Sequence, residues 1–344
     1  MTEHRLPTAD DRKLWDLHLA SFATQALTVA DELQLFDALA RQPSTAEEVA
    51  RALKINLRSA RAMLALLAST ELLIQRAGRY YVTETAQNYL LQSSPYYWGP
   101  VLALTRRLQF THASVMATVR APEAASHWTR VEGDAPIDAW SGGSIGPELA
   151  RNVAAYMNAN ALAAAFVLAQ RADLSGCRRL LDVGAGSGCF SIALAHANSN
   201  LHCTLMDLEA MCAVGMEYVR AAGLERRIDT RPRDMFRQAW PAGYDAIFLS
   251  NILHDWDLET AALLVKKVYD ALAPGGRILI HEMLLDDSRD GPTTAAAFSF
   301  FMLVGTKGQQ FTAPELNAML GKVGFKKVSV TPAHGYYALV AAEK

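Results

Sequence analysis

The sequence predicts an α/β fold, with a mostly parallel sheet preceded by a helical domain. From about residue 176, short apolar segments of strand length alternate with helical stretches, which is typical of a parallel sheet. Residues 11–92 instead show helices followed by a short hairpin. A chain of 344 residues is also longer than one hydrophobic core usually serves. We therefore expect a winged-helix-like domain at 1–95, a helical linking region at 96–175 and a sheet domain at 176–344.

The amino-terminal elements follow from helical spacing and capping residues. Leu33, Phe36 and Leu39 recur at helical spacing. Ser44 or Thr45 is a candidate N-cap, because acidic residues follow in the first turn of the next helix. The expected elements are helices at 46–53 and 57–69 and strands at 72–74 and 80–82. Two helices followed by a hairpin predict a winged helix.

The carboxyl-terminal part carries the strands of the predicted sheet. Before it, residues 95–172 have a mostly helical pattern, interrupted by a breaker cluster at 141–147. Helical stretches separate the first six candidate strands, so the sheet should be mostly parallel with helices on both faces. Only residues 332–335 join the last two strands, which is too short for a parallel crossover, so we expect that pair to be antiparallel. The candidate strands are 179–183, 202–207, 228–231, 244–250, 277–282, 327–331 and 336–342.

Charge and cysteine content limit the partners and the compartment. The formal net charge is −2, so we expect neither nucleic acid nor an anionic membrane as a partner. The four cysteines form no C-x-x-C pair and have no histidines at metal spacing, which predicts buried thiols in a reducing cytoplasm and no metal site. The amino terminus is too polar for a signal peptide, and the apolar runs 161–169 and 295–304 are shorter than the roughly 20 residues of a membrane span. We expect a cytoplasmic protein.

A glycine-rich turn follows the first strand of the sheet domain. Residues 180–188 read Leu-Leu-Asp-Val-Gly-Ala-Gly-Ser-Gly and lead into a helix. Glycines at this position let the backbone approach a ligand at the helix amino terminus. A dinucleotide fingerprint needs glycine or alanine at the sixth position of G-x-G-x-x-G, which here is Cys189, and the sequence has no G-x-x-x-x-G-K-[ST] motif. The turn therefore favours a ligand without a phosphate group.

Two acidic residues follow this turn in order. Asp207 lies at a strand end about 20 residues later, where a carboxylate can accept both ribose hydroxyls of a nucleoside. Asp234 comes after the third strand and can accept a hydrogen bond from an adenine amino group, while Met235 packs on the ring. Alone, Asp234 would be interpreted as a loop or capping residue. The ordered set of three elements favours adenosine binding.

The order of these motifs is similar to that of a known enzyme family. The glycine turn, then 206–208 (Met-Asp-Leu), 234–236 (Asp-Met-Phe) and 250–256 (Ser-Asn-Ile-Leu-His-Asp-Trp), resembles the caffeic-acid and isoflavone type of O-methyltransferase, including its bacterial natural-product tailoring branch. The resemblance extends from about residue 20 to the carboxyl terminus. It implies S-adenosylmethionine as the cofactor, a class I methyltransferase Rossmann-like sheet, a small aromatic substrate, and a homodimer formed through the winged-helix domain.

The same resemblance assigns the cofactor contacts. Asp207 holds the ribose, Asp234 and Met235 hold the adenine, and the glycines line the methionine portion. Plant members have Lys-Trp where this chain has Ser250-Asn251, so a lysine contact to the ligand is absent here. The expected cofactor-binding residues are Asp182, Gly184, Gly186, Gly188, Asp207, Leu208, Asp234, Met235, Phe236, Ser250 and Asn251.

His254 is the candidate general base. Methyl transfer is an in-line displacement at a sulfonium carbon, so the protein must bring a nucleophile to that carbon and remove its proton. A phenol has a pKa of about 10 and an imidazole one of about 6.5, and His254 follows the fourth strand at the edge where α/β sheets bind ligands. The resemblance gives Glu282, which ends the fifth strand, the task of orienting His254. His281 should point to the opposite face of that strand.

One position departs from the family pattern. The second acid beside the histidine lies in a G-x-E-R-T-like segment of the family, and the aligned residue here is Gln310. A neutral amide can position a ring or a substrate amide, but it cannot share a proton. Methyl transfer to oxygen is therefore the first expectation, and transfer to carbon or nitrogen of an aromatic amino acid or related metabolite is the alternative.

Acceptor contacts are expected from the apolar helix 293–304 and from the middle region. Helical apolar stripes are usually plain core, but together these residues imply a flat, aromatic acceptor. A metal site is disfavoured, because the acidic residues that follow His254 do not converge and suit a helix start. The candidates are Met157, Asp255, Phe298, Phe301, Met302 and Gln310, with Phe110 and Trp128 as further possibilities.

Three other functions compete with methyl transfer. A winged helix can belong to a transcriptional regulator, but residues 1–90 contain 10 Lys and Arg against 11 Asp and Glu, which is no basic footprint for DNA. A dehydrogenase is disfavoured by Cys189. A protein that kept the fold and the ligand but lost methyl transfer is disfavoured by the retention of His254 and Glu282.

Overall fold

The computed structural model describes residues 8–108, 111–121 and 145–344. The chain divides into two compact units, Met1–Leu108 and Gln109–Lys344. Most of the breaker cluster at 141–147, together with Phe110 and Trp128, lies outside the described residues. The division into three regions with boundaries at 95 and 175 stays a prediction.

The first unit contains helices and one antiparallel hairpin. Strands β1 and β2 pair in the register Leu73↔Val82 to Arg76↔Arg79. Helices α3 and α4 precede this hairpin, which is the predicted winged-helix order. The elements are α1 (Arg12–Glu32), α2 (Leu35–Arg41), α3 (Ala46–Ala52), α4 (Leu57–Ser69), β1 (Leu73–Arg76), β2 (Arg79–Val82), α5 (Glu84–Tyr89) and α6 (Gly99–Arg107).

A capping box defines the start of α3. Thr45 is the N-cap: its hydroxyl accepts the backbone N–H of Glu48, and the Glu48 carboxylate accepts the backbone N–H of Thr45. The Glu48 carboxylate also lies 2.8 Å from the Arg79 guanidinium. One side chain thus caps the helix and ties it to β2.

Helix α1 carries a row of exposed apolar side chains. Trp15, Leu17 and Phe22 are each about half exposed or more, at 55%, 62% and 53%. The core of this unit is formed instead by α2, α4 and the carboxyl-terminal end of α1, with Phe36 and Leu64 buried. Large exposed apolar patches mark interaction surfaces, so this part of α1 is suited to an interface.

The second unit contains a seven-stranded sheet in the order β5-β4-β3-β6-β7-β9-β8. Strand β9 runs antiparallel to both of its neighbours, and the remaining paired strands are parallel. The predicted parallel sheet and antiparallel final pair are confirmed. The elements are α7 (His112–Arg120), α8 (Pro147–Arg171), β3 (Arg179–Val183), α9 (Cys189–Ala197), β4 (His202–Asp207), α10 (Glu209–Ala221), β5 (Ile228–Pro232), β6 (Tyr244–Ser250), a 3-10 turn (Leu253–Asp255), α11 (Leu258–Ala271), β7 (Leu272–Met283), α12 (Thr293–Gly305), α13 (Ala313–Val323), β8 (Lys326–Pro332) and β9 (Tyr337–Glu343).

The expected start of the fifth sheet strand was wrong. Strand β7 begins at Leu272 rather than at residue 277. The Pro-Gly-Gly sequence that follows is a turn signal. However, Leu272 pairs with Tyr244, and an irregularity in the register lets the strand continue past the glycines. The other sheet strands differ from expectation by one residue at most at each end.

Helices cover both faces of the sheet. Because successive strand residues point to opposite faces, Leu180 packs with α8 and α9, while Leu181 packs with α11 and α13. By length and composition α8 could cross a membrane. Its residues Ala165 and Leu168 are buried in the sheet core, so we interpret it as a helix of this unit.

Candidate active site

The glycine turn lies where the strand order reverses, between β3 and β6, which is where α/β sheets bind ligands. Gly184, Gly186 and Gly188 have φ of 66°, 57° and 73°, in the left-handed region. A Cβ atom on Gly184 would come within 2.3 Å of Ile252 Cδ1, and one on Gly186 within 2.9 Å of Met157 Sδ. Both conformation and space therefore require glycine in this turn.

Asp207 ends β4 directly beside that turn. Its carboxylate accepts the backbone N–H of Gly186 at 2.9 Å and that of Leu208 at 2.7 Å. Burial raises the pKa of Asp207 to about 6, and these two N–H groups oppose the rise. A carboxylate has about four acceptor positions, so two remain for ligand hydroxyls. This geometry suits a ribose.

Asp182 lies deeper than the other residues of the set. It is 3% exposed, and its Oδ2 accepts a hydrogen bond from Ser191 Oγ at 2.7 Å. Burial raises the pKa of Asp182 to about 7. In this position Asp182 supports the first turn of α9, and its contact with a cofactor stays a prediction.

The segment after β5 folds into a single turn that begins at Asp234. The Asp234 Oδ1 accepts the backbone N–H groups of Phe236 at 2.8 Å and Arg237 at 3.2 Å. The capping interpretation of Asp234 is thus correct for one oxygen, and Oδ2 lies 3.6 Å from the Arg237 guanidinium. Phe236 packs edge-on against Trp256, with ring centroids 4.5 Å apart.

His254 lies in the 3-10 turn after β6 and is 3% exposed. Its Nδ1 is 2.9 Å from Glu282 Oε2, and its Nε2 is 3.6 Å from Asp255 Oδ1. The backbone N–H of His254 also donates to Glu282 Oε1 at 3.4 Å. The tertiary structure therefore brings together the histidine and the acid that were predicted as a pair.

The charges around the ring favour its protonated form. Burial alone lowers the pKa of His254, but the carboxylates of Glu282 and Asp255 outweigh this effect and raise it to about 9. Burial raises the pKa of Asp255 to about 6, although the imidazolium opposes this. Perturbed histidines beside carboxylates are concentrated at functional sites, so His254 is a candidate for proton transfer.

Gln310 lies beside the same imidazole. Its Nε2 is 2.9 Å from His254 Nδ1, and its backbone N–H donates to Ser299 Oγ at 3.1 Å. The neighbouring Gly308 lets this segment approach, because a Cβ atom there would lie 2.0 Å from the His254 carbonyl oxygen. The predicted departure from the family therefore occurs in contact with the candidate base.

Ser250 and Asn251 face a second polar cluster. The Ser250 hydroxyl lies 2.9 Å from His281 Nδ1, and the Asn251 amide donates to the Tyr337 hydroxyl at 3.4 Å. The His281 and Tyr337 rings stack with centroids 4.5 Å apart. His281 lies on the opposite side of β7 from Glu282, as predicted, and burial lowers its pKa to about 3.

The apolar candidates lie on α12 and α8. Phe298 meets the His254 ring edge-on at 5.3 Å, and Phe301 stacks on Phe298 at 6.1 Å. Met302 is buried at 4% exposure, whereas Met157 is 36% exposed beside the glycine turn. An aromatic surface thus adjoins the candidate base.

Trp256 packs against Phe236 beside the candidate site and was not assigned from the sequence. It is 8% exposed, and its indole Nε1 is buried without a hydrogen-bond partner among the described residues. The same holds for Asn251 Oδ1 and Gln310 Oε1. Unpaired buried polar atoms are rare, so their concentration at this edge fits a polar ligand such as an adenosyl group. The signal for Trp256 was its place in His-Asp-Trp.

The acidic residues after His254 include the cap of the next helix. Asp257 is the N-cap of α11, where its carboxylate accepts the Thr260 N–H at 2.8 Å. Within residues 8–108, 111–121 and 145–344, no group of three or more His, Cys, Asp or Glu side chains is placed to hold a metal ion.

Comparison with known proteins identifies the family that the motifs of the site resemble. Residues 113–326 match the O-methyltransferase domain, and residues 15–92 match the O-methyltransferase dimerisation domain. The chain is 37% identical to 3-hydroxy-5-methyl-1-naphthoate 3-O-methyltransferase of Streptomyces sahachiroi, over 92% of this chain and 89% of that protein. It is 32% identical to N,N-dimethyltransferase OxyT of Streptomyces rimosus, over 81% and 80% of the two chains.

A solved structure supports both the fold and the ligand. PigF with SAH superposes with a TM-score of 0.79 and 26% identity, over 98% of this chain and 100% of that one. The family resemblance, the fold class and the amino-terminal dimerisation domain are thereby confirmed. The chain belongs to the O-methyltransferase family, carries that family's dimerisation domain, and is an S-adenosylmethionine-dependent methyltransferase.

Proposed function

We propose that this enzyme methylates the hydroxyl oxygen of a small aromatic acceptor, with His254 as the general base. The supporting observation is the position of His254, buried at the carboxyl edge of the sheet with Nδ1 2.9 Å from Glu282. S-adenosylmethionine supplies an electrophilic methyl group on a sulfonium. The protein's task is to align the acceptor with that carbon and to remove the acceptor proton.

The proposed cofactor contacts come from residues at the carboxyl edge of the sheet. Asp207 would accept the ribose hydroxyls, and the loop with Asp234 and Met235 would hold the adenine, with Trp256 beside it. The glycine turn would line the methionine portion. The remaining proposed contacts lie at or just after the carboxyl ends of strands β3, β4, β5 and β6. They are Asp182, Leu208, Phe236, Ser250 and Asn251.

The two ring nitrogens of His254 would have different tasks in the proton transfer. A hydrogen on Nδ1 facing Glu282 would leave Nε2 free to accept the acceptor proton. The imidazolium that forms would then lie between the carboxylates of Glu282 and Asp255. Glu282 therefore orients the ring and stabilises its charge.

The acceptor surface supports an aromatic substrate. Phe298 and Phe301 stack beside His254, and a flat ring can pack on them while its hydroxyl faces Nε2. Asp255 and Gln310 would contact polar groups of the acceptor, and Met157 and Met302 would fill the apolar side. The naphthoate methylated by the Streptomyces sahachiroi relative is an acceptor of this kind.

Transfer to carbon or nitrogen is the second candidate. Gln310 supports it, because an uncharged amide replaces the family's second acid at His254. A phenolate whose ortho carbon faces the sulfonium would be methylated on carbon with the same base. The relative OxyT is named as an N,N-dimethyltransferase.

The proposed assembly is a cytoplasmic homodimer formed through the amino-terminal domain. The exposed apolar residues of α1, such as Trp15 and Phe22, support this interface. All four cysteines are free thiols, which suits a reducing compartment. We propose neither nucleic acid nor membrane as a partner.

A product screen tests the proposed reaction. The enzyme is incubated with S-adenosylmethionine and a panel of phenols and aromatic amino acids, and products are identified by mass spectrometry and NMR. We expect a methyl ether from a phenolic acceptor that wild type forms and His254→Ala does not. A product methylated only on carbon or nitrogen would replace the first candidate with the second. Calorimetry that shows no S-adenosylmethionine binding to wild type would contradict both.

A further inference from the structure

Lys267 of α11 is bonded to the loop that follows β5. Its ammonium donates to the backbone carbonyl oxygens of Met235 at 2.6 Å, Phe236 at 2.8 Å and Gln238 at 3.4 Å. The Lys267 Nζ also lies 5.9 Å from the centre of the Trp240 ring. One side chain therefore binds three backbone carbonyl groups of this turn.

The rest of the turn is closed by its own polar groups. The Gln238 side chain accepts the backbone N–H of Asp234 at 2.8 Å, and the Trp240 indole donates to the Met235 carbonyl at 2.9 Å. These bonds fix the shape of the turn but do not connect it to the sheet domain. Apolar contacts of Met235, Phe236 and Trp240 hold the loop on the sheet core. The bonds from Lys267 add polar contacts to the same core, because α11 packs on it through Leu264 and Val268.

The environment of Lys267 is specific for a cation. The carbonyl groups at the end of a turn carry partial negative charge, which an ammonium group neutralises. Burial lowers the pKa of Lys267 and the Asp234 carboxylate opposes that change. The adjacent Lys266 differs, since it is exposed and paired with Asp270 on the same helix.

We infer that Lys267 is a positioning residue that holds the loop 234–238 where Asp234 and Met235 meet the adenine of S-adenosylmethionine. This inference rests on the proposed adenine contacts. Lys267 lies behind the loop and touches its backbone, so its effect on the ligand passes through the position of Asp234. Lys267 would therefore increase the selectivity for the adenine amino group without contacting the adenine itself.

The test measures how strongly the enzyme prefers a ligand with the adenine amino group over one without it. A general loss of protein stability would leave this ratio of affinities unchanged. Calorimetry gives the Kd of S-adenosylhomocysteine and of S-inosylhomocysteine, in which a carbonyl replaces the adenine amino group. Wild type should prefer the first by about 10- to 100-fold, since a carboxylate facing a carbonyl oxygen is left unpaired. Lys267→Met should reduce this preference to about threefold or less. Lys267→Arg, which can still donate to the carbonyls, should retain it.

Two further variants separate this inference from the proposed adenine contacts. Lys266→Met is the matched control and should keep the wild-type preference. Asp234→Ala should lose it. If Asp234→Ala loses the preference and Lys267→Met keeps it, the role of Lys267 is overturned while the adenine contact survives. If Lys267→Met loses it and Asp234→Ala does not, the loop position is supported and the contact by Asp234 is wrong. Should Lys267→Met fail to fold, Lys267→Gln gives the same readout, and retention of full preference there would also overturn the inference.

Discussion

The side-chain amide of Gln310 lies 2.9 Å from Nδ1 of His254, the same ring nitrogen that faces the Glu282 carboxylate. If Nδ1 carries its hydrogen toward the Glu282 carboxylate, 2.9 Å away, that nitrogen cannot also accept a hydrogen bond from the Gln310 NH₂ group. Rotating the Gln310 amide by half a turn places Oε1, which has no partner among the described residues, toward Nδ1. In that orientation both Gln310 and Glu282 accept from His254 and leave Nε2 as the basic atom.

The first prediction concerns Asp207. Asp207→Asn replaces an acceptor oxygen with an amide that cannot accept from two ribose hydroxyls, so S-adenosylmethionine should bind about 100-fold more weakly or not at all. Asp229→Asn, on the exposed side of β5, is the matched control and should bind as wild type. Calorimetry measures both. Unchanged affinity in Asp207→Asn would rule out the ribose contact.

His254→Ala should lower kcat by about 10²- to 10⁴-fold, the usual contribution of a general base. The Kd of S-adenosylmethionine should stay within about threefold of wild type, because His254 acts on the acceptor. The exposed His202 provides a control substitution, His202→Ala, with normal turnover. Steady-state kinetics with a saturating acceptor is the measurement, and wild-type turnover in His254→Ala would remove this residue as the base.

The pH dependence of the rate should follow the ionisation of His254. Its pKa is raised to about 9 by Glu282 and Asp255, so the basic form increases as pH rises and kcat/KM should increase with pH beyond the range of an ordinary histidine. Glu282→Gln removes the larger of the two opposing charges and should move the midpoint to lower pH while decreasing the maximal rate. A midpoint that rises in Glu282→Gln would contradict the pairing.

Gln310→Glu restores a second acid at Nδ1. A further carboxylate near the ring raises the pKa of His254, so the pH at which kcat/KM rises should move still higher. Gln310→Met removes the polar contact without adding charge and should not move it in that direction. Stopped assays across a pH series, with product NMR, also show whether either variant changes the atom that is methylated. An identical pH profile in Gln310→Glu would mean that residue 310 does not act on His254.

The dimer should depend on the apolar face of α1. Replacing both Leu17 and Phe22 with aspartate puts charges into the proposed interface and should convert the dimer to a monomer in light scattering with size exclusion. Leu258→Asp, at a 53% exposed position on α11, should leave the dimer intact. A double variant that remains dimeric would place the interface elsewhere.

Local patterns were sufficient to predict much of this molecule. The strands and helices of the sheet domain, the glycine turn and Asp207 depend on periodicity, backbone conformation and chain order, all of which are visible within short windows of sequence. The same is true of the helix start at Ser44 or Thr45, of which the structure selects Thr45, and of the antiparallel final strand. The cysteine in place of a sixth-position glycine disfavoured a dinucleotide, and the cofactor followed from the resemblance of the ordered motifs to the O-methyltransferase family.

Only the tertiary structure decided which groups act on one another. Gln310 and His254 are 56 residues apart, and Lys267 is 32 residues from Met235. No periodicity relates such positions, because the packing of α11 and of the segment after α12 against the sheet edge determines their distance. Likewise, only packing showed that Asp182 is turned toward Ser191, that one oxygen of Asp234 caps its own turn, and that β7 continues through Pro-Gly-Gly. The sequence by itself determined the fold and the cofactor, and the tertiary structure decided the hydrogen bonding around the base, since that depends on contacts between distant segments.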